Sequence, residues 1–129
     1  MENLFIAATH SSPEVDFKFD CHSLSLRGES YPENAASFYG EVLRRLREYL
    51  SRHDGTRIEV HIALAYFNSS STKMLFNVIE SLNTAAKAGT AVALSWYHDE
   101  EDDTILEFGT ELSEDFTAIE FRCCPVRAG

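Results

Sequence analysis

Two apolar, strand-like segments flank one helical segment in the middle of the chain. Residues 57–67, RIEVHIALAYF, and residues 91–98, AVALSWYH, are rich in the β-branched, aromatic and apolar residues that favour strands. The nearly all-apolar second half of the first segment predicts a central strand buried on both faces. Between the two segments, apolar residues at spacings of three and four predict a helix from about Ser70, with Gly89 suited to its C-terminal cap. A strand, a helix and a strand in succession form a βαβ unit with parallel strands and a right-handed crossover.

The N-terminal third of the chain has the alternation of a β-hairpin. Residues 15–19 alternate apolar and polar side chains, and Leu24 and Leu26 continue the pattern after a turn near residues 21–23. A short strand over residues 4–7 is expected to precede this hairpin. The stretch RGESYPEN, residues 27–34, has the composition of a turn.

Two further helices and a last strand complete the predicted fold. Apolar spacing predicts a helix from about Asn34 to His53, ended by the turn residues His53, Asp54 and Gly55. An acidic start followed by an apolar stripe predicts another helix within residues 99–116, and AIEFRCCP, residues 118–125, alternates like a strand. The expected fold is an α/β sandwich in which about three helices cover a mixed sheet of five to six strands.

Composition limits the classes of function. A length of 129 residues, with 44% apolar and 25% charged residues, predicts one domain over residues 1–129 that folds unaided. The net charge of -10 argues against nucleic-acid and anionic-membrane partners, which such a charge repels. No apolar stretch approaches the roughly 20 residues of a membrane span, and no signal peptide is evident, so a cytoplasmic location is expected. Cys21, Cys123 and Cys124 are expected to be reduced thiols.

Four hydroxyl residues, Ser69 to Thr72, stand between the first strand of the βαβ unit and its helix. Serine or threonine there commonly accepts a hydrogen bond from a free backbone N–H, so Ser69 or Ser70 is a candidate N-cap. The same position suits phosphorylation, because a phosphate at a helix start meets the positive end of the dipole and changes the surface without refolding the domain. Both interpretations remain open on the residues alone.

The stretch GESYPEN, residues 28–34, also has two interpretations. As a strand-to-helix turn, it would place Pro32 or Glu33 in the first helical turn, with Ser30 or Tyr31 just before it. That role does not require Tyr31 or Asn34, and an exposed aromatic residue beside polar side chains is typical of a contact surface.

The sequence lacks common catalytic and metal-binding motifs. GxSxG, P-loop and GxGxxG motifs are absent, and a serine hydrolase built on Ser69 would need His61 or His98 as its base. The acidic run HDEEDD, residues 98–103, lacks the ligand spacing of a calcium loop and is more typical of a solvated helix start. The five histidines are not spaced as in zinc-binding motifs, so neither a metal nor a cofactor is predicted. These histidines are His10, His22, His53, His61 and His98.

Three stretches between residues 28 and 116 read GESYPENAASFYGEVLRRLREYL, LAYFNSSSTKMLFNVIESL and WYHDEEDDTILEFGTELSEDF. They resemble successive signature stretches of the SiaC family of bacterial regulatory phosphoproteins. The resemblance implies a STAS-like, non-enzymatic protein of a partner-switching system. A dedicated Ser/Thr kinase would phosphorylate it and a PP2C-type phosphatase would reverse this. The unphosphorylated form would bind and activate a diguanylate cyclase, linking it to cyclic-di-GMP and biofilm regulation.

The resemblance also implies which residues act. The family's phosphoacceptor directly follows an asparagine, which here is Asn68, so the expected phosphorylation site is Ser69, with Ser70 as a neighbouring alternative. Threonine occupies this position in the best-known member, and serine is an acceptor for the same kind of kinase. The alternatives are a STAS-like binding module that is never phosphorylated and, more distantly, a serine hydrolase. The expected partner-binding residues are Tyr31, Pro32, Glu33, Asn34, Phe67, Asn68, Ser70 and Ser71.

Overall fold

The computed structural model describes residues 1–52 and 55–127. Six strands and three α-helices are found in this part of the chain, as the sequence predicts, together with one short 3-10 helix. The predicted helix end at His53 and Asp54 lies outside the described residues. The elements are β1 Leu4–Ile6, β2 Glu14–Lys18, the 3-10 helix Phe19–Cys21, β3 Ser23–Ser30, α1 Ala35–Arg52, β4 Ile58–Phe67, α2 Ser69–Lys87, β5 Val92–Asp99, α3 Asp103–Asp115 and β6 Glu120–Val126.

The strands form one mixed sheet whose spatial order follows the chain, from β1 to β6. β1, β2 and β3 pair antiparallel, whereas β3, β4, β5 and β6 are parallel neighbours, each joined to the next through one helix. This confirms the predicted hairpin, the βαβ unit and the mixed sheet. Because the four parallel strands run the same way, their carboxyl ends, and the starts of the helices that follow, meet at one edge of the sheet.

All three helices cover the same face of the sheet. Leu24, Val60 and Leu94 lie in register across β3, β4 and β5, and their buried side chains belong to the core beneath the helices. The alternate positions carry polar or small side chains on the opposite, uncovered face, where Glu59 is half-buried. The expectation that β4 is buried on both faces is therefore wrong. A run of apolar residues predicts two buried faces, but the outward positions beyond the middle of β4 are alanines, which are half-buried or exposed.

The structure corrects two other boundaries. Phe19 does not continue the strand, because its ring turns into the core within the 3-10 helix and stacks on Tyr49 of α1 with ring centroids 4.7 Å apart. Residues 27–30 belong to β3 rather than to a turn, and they pair with β4 as far as Ser30 and Phe67. The turn chemistry is thus confined to the four residues before α1.

The C-terminal end of α2 follows the predicted pattern. Gly89 has a left-handed φ of 112°, its N–H donates to the Ala86 carbonyl, and the Thr90 N–H donates to the Ala85 carbonyl. Glycine reaches this backbone region without a Cβ penalty, so the helix ends here and the chain turns into β5. Among the described residues, no helix combines the length and apolar character needed to cross a membrane.

Candidate functional site

The two sequence stretches singled out for function lie side by side at the carboxyl edge of the sheet. Ser30 and Phe67 are paired at the ends of the parallel strands β3 and β4. The Asn68 N–H donates to the Ser30 carbonyl at 3.0 Å and ties the start of α2 to the segment before α1. Residues 31–34 and 67–70 therefore form one continuous surface, although they are more than 30 positions apart in the chain.

Asparagines, not serines, cap the two helices at this edge. The Asn68 side chain accepts a hydrogen bond from the Ser71 N–H at 3.0 Å, and the Asn34 side chain accepts one from the Ser37 N–H at the same distance. The hypothesis that Ser69 or Ser70 is the cap is therefore wrong. The expectation that Pro32 or Glu33 lies in the first helical turn is also wrong, because both residues precede α1.

The Ser69 and Ser70 side chains are exposed at the first and second positions of α2. Since the capping role is taken by Asn68, neither hydroxyl is needed to hold the helix start. The backbone N–H groups of these two residues have no intrahelical acceptor, and the first turn carries no acidic residue. The dipole and the free N–H groups both favour an anion at this position.

Ser71 is fully buried, which corrects its expected role as a partner contact. Its Oγ accepts a hydrogen bond from the Ser30 hydroxyl at 2.8 Å, and the Tyr39 hydroxyl lies 2.6 Å from the same Ser30 Oγ. Burial raises the pKa of Tyr39 to about 12. These three hydroxyl groups join β3, α1 and α2 beneath the exposed serines. Ser30 and Tyr39 were not identified from the sequence, because nothing local distinguishes them from ordinary turn and core residues.

A bulge near the end of β4 decides which aromatic residue faces the solvent. Gly28 pairs with Leu64, but Glu29 pairs with Tyr66, so Ala65 is an extra residue on β4. Such a residue reverses the alternation of the side chains that follow it. Tyr66 consequently points outwards with 49% of its surface exposed, and its ring meets that of Tyr31 edge-on at 5.8 Å between centroids.

The same bulge turns Phe67 towards the helices. Its half-buried ring lies 5.0 Å from the ring of Phe108 in α3 and 6.1 Å from that of Trp96, measured between centroids. Tyr66, which the sequence-based set of contact residues omits, therefore presents more aromatic surface than Phe67. The omission has a physical cause, since regular alternation from Leu64 would place Tyr66 in the core.

The histidines proposed for a hydrolase do not contact Ser69. His61 Nδ1 lies 3.0 Å from the Tyr97 hydroxyl, and His98 Nδ1 lies 3.0 Å from the carbonyl oxygen of Asp99. In the acidic run, Asp102 caps α3 by accepting a hydrogen bond from the Ile105 N–H, as expected for a helix start. Within residues 1–52 and 55–127, no group of three or more His, Cys, Asp or Glu side chains is placed to hold a metal ion.

Known proteins share both the sequence and the fold of this chain. The SiaC family regulatory phosphoprotein model matches residues 6–126. An uncharacterized protein of Pseudomonas aeruginosa strain UCBPP-PA14 is 33% identical over 116 residues, which cover 89% of this chain and 90% of that protein.

Solved structures agree with the sequence match. The crystal structure of apo-SiaC from Pseudomonas aeruginosa superposes with a TM-score of 0.85 at 29% identity, covering 99% of this chain and 100% of that one. In a crystal structure of the diguanylate cyclase SiaD in complex with its activator SiaC, from the same organism, the match has a TM-score of 0.84 at 28% identity. It covers 97% of this chain and 99% of the matched chain. The family model matches nearly the whole chain and the fold agrees with it, so the chain belongs to the SiaC family of regulatory phosphoproteins.

Proposed function

We propose that this chain is a non-enzymatic phosphorylation switch whose phosphoacceptor is Ser69. The observation that carries the proposal is an exposed serine at the first position of α2, freed from capping by Asn68. Ser70 is the neighbouring alternative, because it is exposed at the second position. A Ser/Thr protein kinase would add the phosphate and a PP2C-type phosphatase would remove it.

The geometry supports a switch that changes the surface and leaves the fold intact. A phosphate on Ser69 brings a charge of roughly -1.5 to -2. It would meet the positive end of α2 and the free N–H groups there, so it would be tolerated. The hydroxyl network beneath is buried and makes no use of Ser69. The new charge would therefore act on a bound partner rather than on the core.

The proposed docking surface is built from two segments at the carboxyl edge of the sheet, one before α1 and one where β4 meets α2. It includes Tyr66, which is exposed, and excludes Ser71, which is fully buried. Edge-to-face aromatic pairs beside polar side chains are typical centres of protein interfaces. The surface consists of Tyr31, Pro32, Glu33, Asn34, Tyr66, Phe67, Asn68, Ser69 and Ser70.

The proposed partner of the unphosphorylated form is a diguanylate cyclase, which this chain would activate. The support is the structure of Pseudomonas aeruginosa SiaD in complex with its activator SiaC, since SiaC has the same fold. Through such a partner, the chain would regulate cyclic-di-GMP synthesis and biofilm formation in the cytoplasm. Phosphorylation would break the contact, because docking would have to remove water from a dianion at the start of α2.

The proposal is tested by binding of the cognate diguanylate cyclase, measured by calorimetry. We expect Ser69→Ala to bind like the parent chain and Ser69→Asp to bind at least tenfold more weakly. Thr84→Asp is the matched control, because it adds the same charge to an exposed position of α2 about 22 Å from Ser69. It should leave the affinity unchanged.

Mass spectrometry after incubation with the cognate kinase locates the modified residue. Phosphate on Ser69 supports the switch. An unmodified chain that still binds the cyclase would instead be a constitutive binding module, and equal affinities of Ser69→Ala and Ser69→Asp would contradict the switch. Labelling of Ser69 by a serine-directed covalent probe would point to a hydrolase.

A further inference from the structure

A cleft opens in the sheet where β4 and β5 part. In the described residues, pairing between these strands ends at Ile62 and Trp96. By contrast, β4 stays paired with β3 as far as Phe67, and β5 stays paired with β6 as far as Asp99. The strand ends therefore leave a cleft of about 730 Å³, bounded on its other side by the start of α3. Backbone groups of β4 and β5 that face each other across it lack a partner strand.

Every charged side chain that lines the cleft is acidic: Asp99, Glu101, Asp102 and Asp103. Asp99 and Asp102 each use one carboxylate oxygen for a backbone N–H, of Glu101 and Ile105 respectively, so each has a second oxygen available. The positive end of α3 offsets only about half an elementary charge. Four carboxylates outweigh it, so the cleft favours a cation.

A buried histidine supplies a further, independent sign of a ligand. His98 lines the cleft and is only 6% exposed. Its Nδ1 lies 3.0 Å from the Asp99 carbonyl, which can only accept, so in the neutral ring the proton is on Nδ1 and Nε2 is an acceptor. In the described part of the chain, Nε2 has no hydrogen bond. Buried acceptors are usually paired with a protein group or with ordered water, so Nε2 is available to a donor that enters the cleft.

The walls of the cleft indicate which cation fits. Leu64, Ile105 and Val126 provide apolar surface beside the carboxylates, which suits a long aliphatic stem with a charged end. Among the described residues, no group of three or more His, Cys, Asp or Glu side chains is placed to hold a metal ion. A guanidinium group presents five N–H donors in a flat fork, which matches several separate acceptors better than the compact, strongly hydrated ammonium of lysine.

We propose that this cleft binds the guanidinium group of an arginine side chain on a partner protein. The site does not depend on Ser69 or on its phosphorylation. It can thus be tested on the isolated, unmodified chain, and its failure would leave the proposed switch untouched.

The test is a titration of the ¹⁵N-labelled chain with N-acetyl-arginine amide, followed by two-dimensional NMR. We expect saturable shifts of the backbone amides of residues 63–65 and 97–104. N-acetyl-lysine amide should bind more weakly. Shifts elsewhere only, or an equal response to the lysine probe, would overturn the proposal.

A pair of double variants separates the site from general charge attraction. Asp99→Asn with Asp102→Asn removes two charges but keeps both backbone-accepting oxygens, and we expect it to weaken the arginine probe by about tenfold. Glu111→Gln with Glu114→Gln removes two charges from exposed positions further along α3 and should keep the parent affinity. Equal losses in both double variants, or none in the first, would refute the assignment.

Discussion

Gly109 determines how closely α3 can approach the sheet. A Cβ at this position would lie 2.4 Å from Trp96 Cδ1 and 2.6 Å from Trp96 Nε1. The indole is 1% exposed and donates from Nε1 to the Ile105 carbonyl at 3.0 Å, so it has no room to retreat. Gly109→Ala must therefore shift either α3 or the ring.

The expected cost follows from three effects. Overpacking a core by one methyl group costs about 1 to 3 kcal/mol. Losing the indole hydrogen bond in the interior costs about 1 to 3 kcal/mol more. The higher helix propensity of alanine returns about 1 kcal/mol. The net expectation is a loss of about 1 to 5 kcal/mol, a large share of the roughly 5 to 15 kcal/mol that stabilises a typical domain.

Urea unfolding monitored by tryptophan fluorescence measures the loss of unfolding free energy directly, because Trp96 is the sole tryptophan of the chain. Gly40→Ala is the matched control: Gly40 also lies inside a helix, but a Cβ there meets nothing within 4 Å. The control should gain about 0.5 to 1 kcal/mol. If Gly109→Ala were as stable as the parent, with unchanged Trp96 emission, the account of this helix contact would be refuted.

Three further predictions concern the carboxyl edge of the sheet, where α2 begins. Asn68→Ala should lower the free energy of unfolding by about 1 kcal/mol in urea titrations, because the Ser71 N–H loses its acceptor, and Asn68→Asp should restore it. Ser71→Ala should cost about 1 to 2 kcal/mol by leaving the Ser30 hydroxyl without its acceptor. Ser69→Ala should stay within about 0.5 kcal/mol of the parent, and equal losses at the two serines would contradict the buried network. Because the pKa of Tyr39 is raised to about 12, its contribution to stability is complete below pH 10 and is lost as the pH rises through 12. That loss approaches about 3 kcal/mol, and Tyr39→Phe should lack it in unfolding measurements across this pH range.

The architecture was largely readable from the sequence because its signals are local. Alternation over residues 15–18 and spacings of three and four in residues 70–86 reflect the periods of a strand and a helix, which each segment carries by itself. The family resemblance rests on contiguous stretches in the same way. The positions of Ser69 and Asn68 as neighbours at a helix start follow from the chain alone.

Tertiary structure decided the chemistry around those positions. Ser71 is buried at the contact of α2 with β3, where its hydroxyl accepts a hydrogen bond from Ser30, 41 residues earlier in the chain. Tyr66 is exposed because an extra residue, Ala65, reverses the alternation at the end of β4. The acidic cleft exists because β4 and β5 part beyond Ile62 and Trp96. Each of these features depends on pairing register or on contacts between distant segments, and local periodicity carries no information about either.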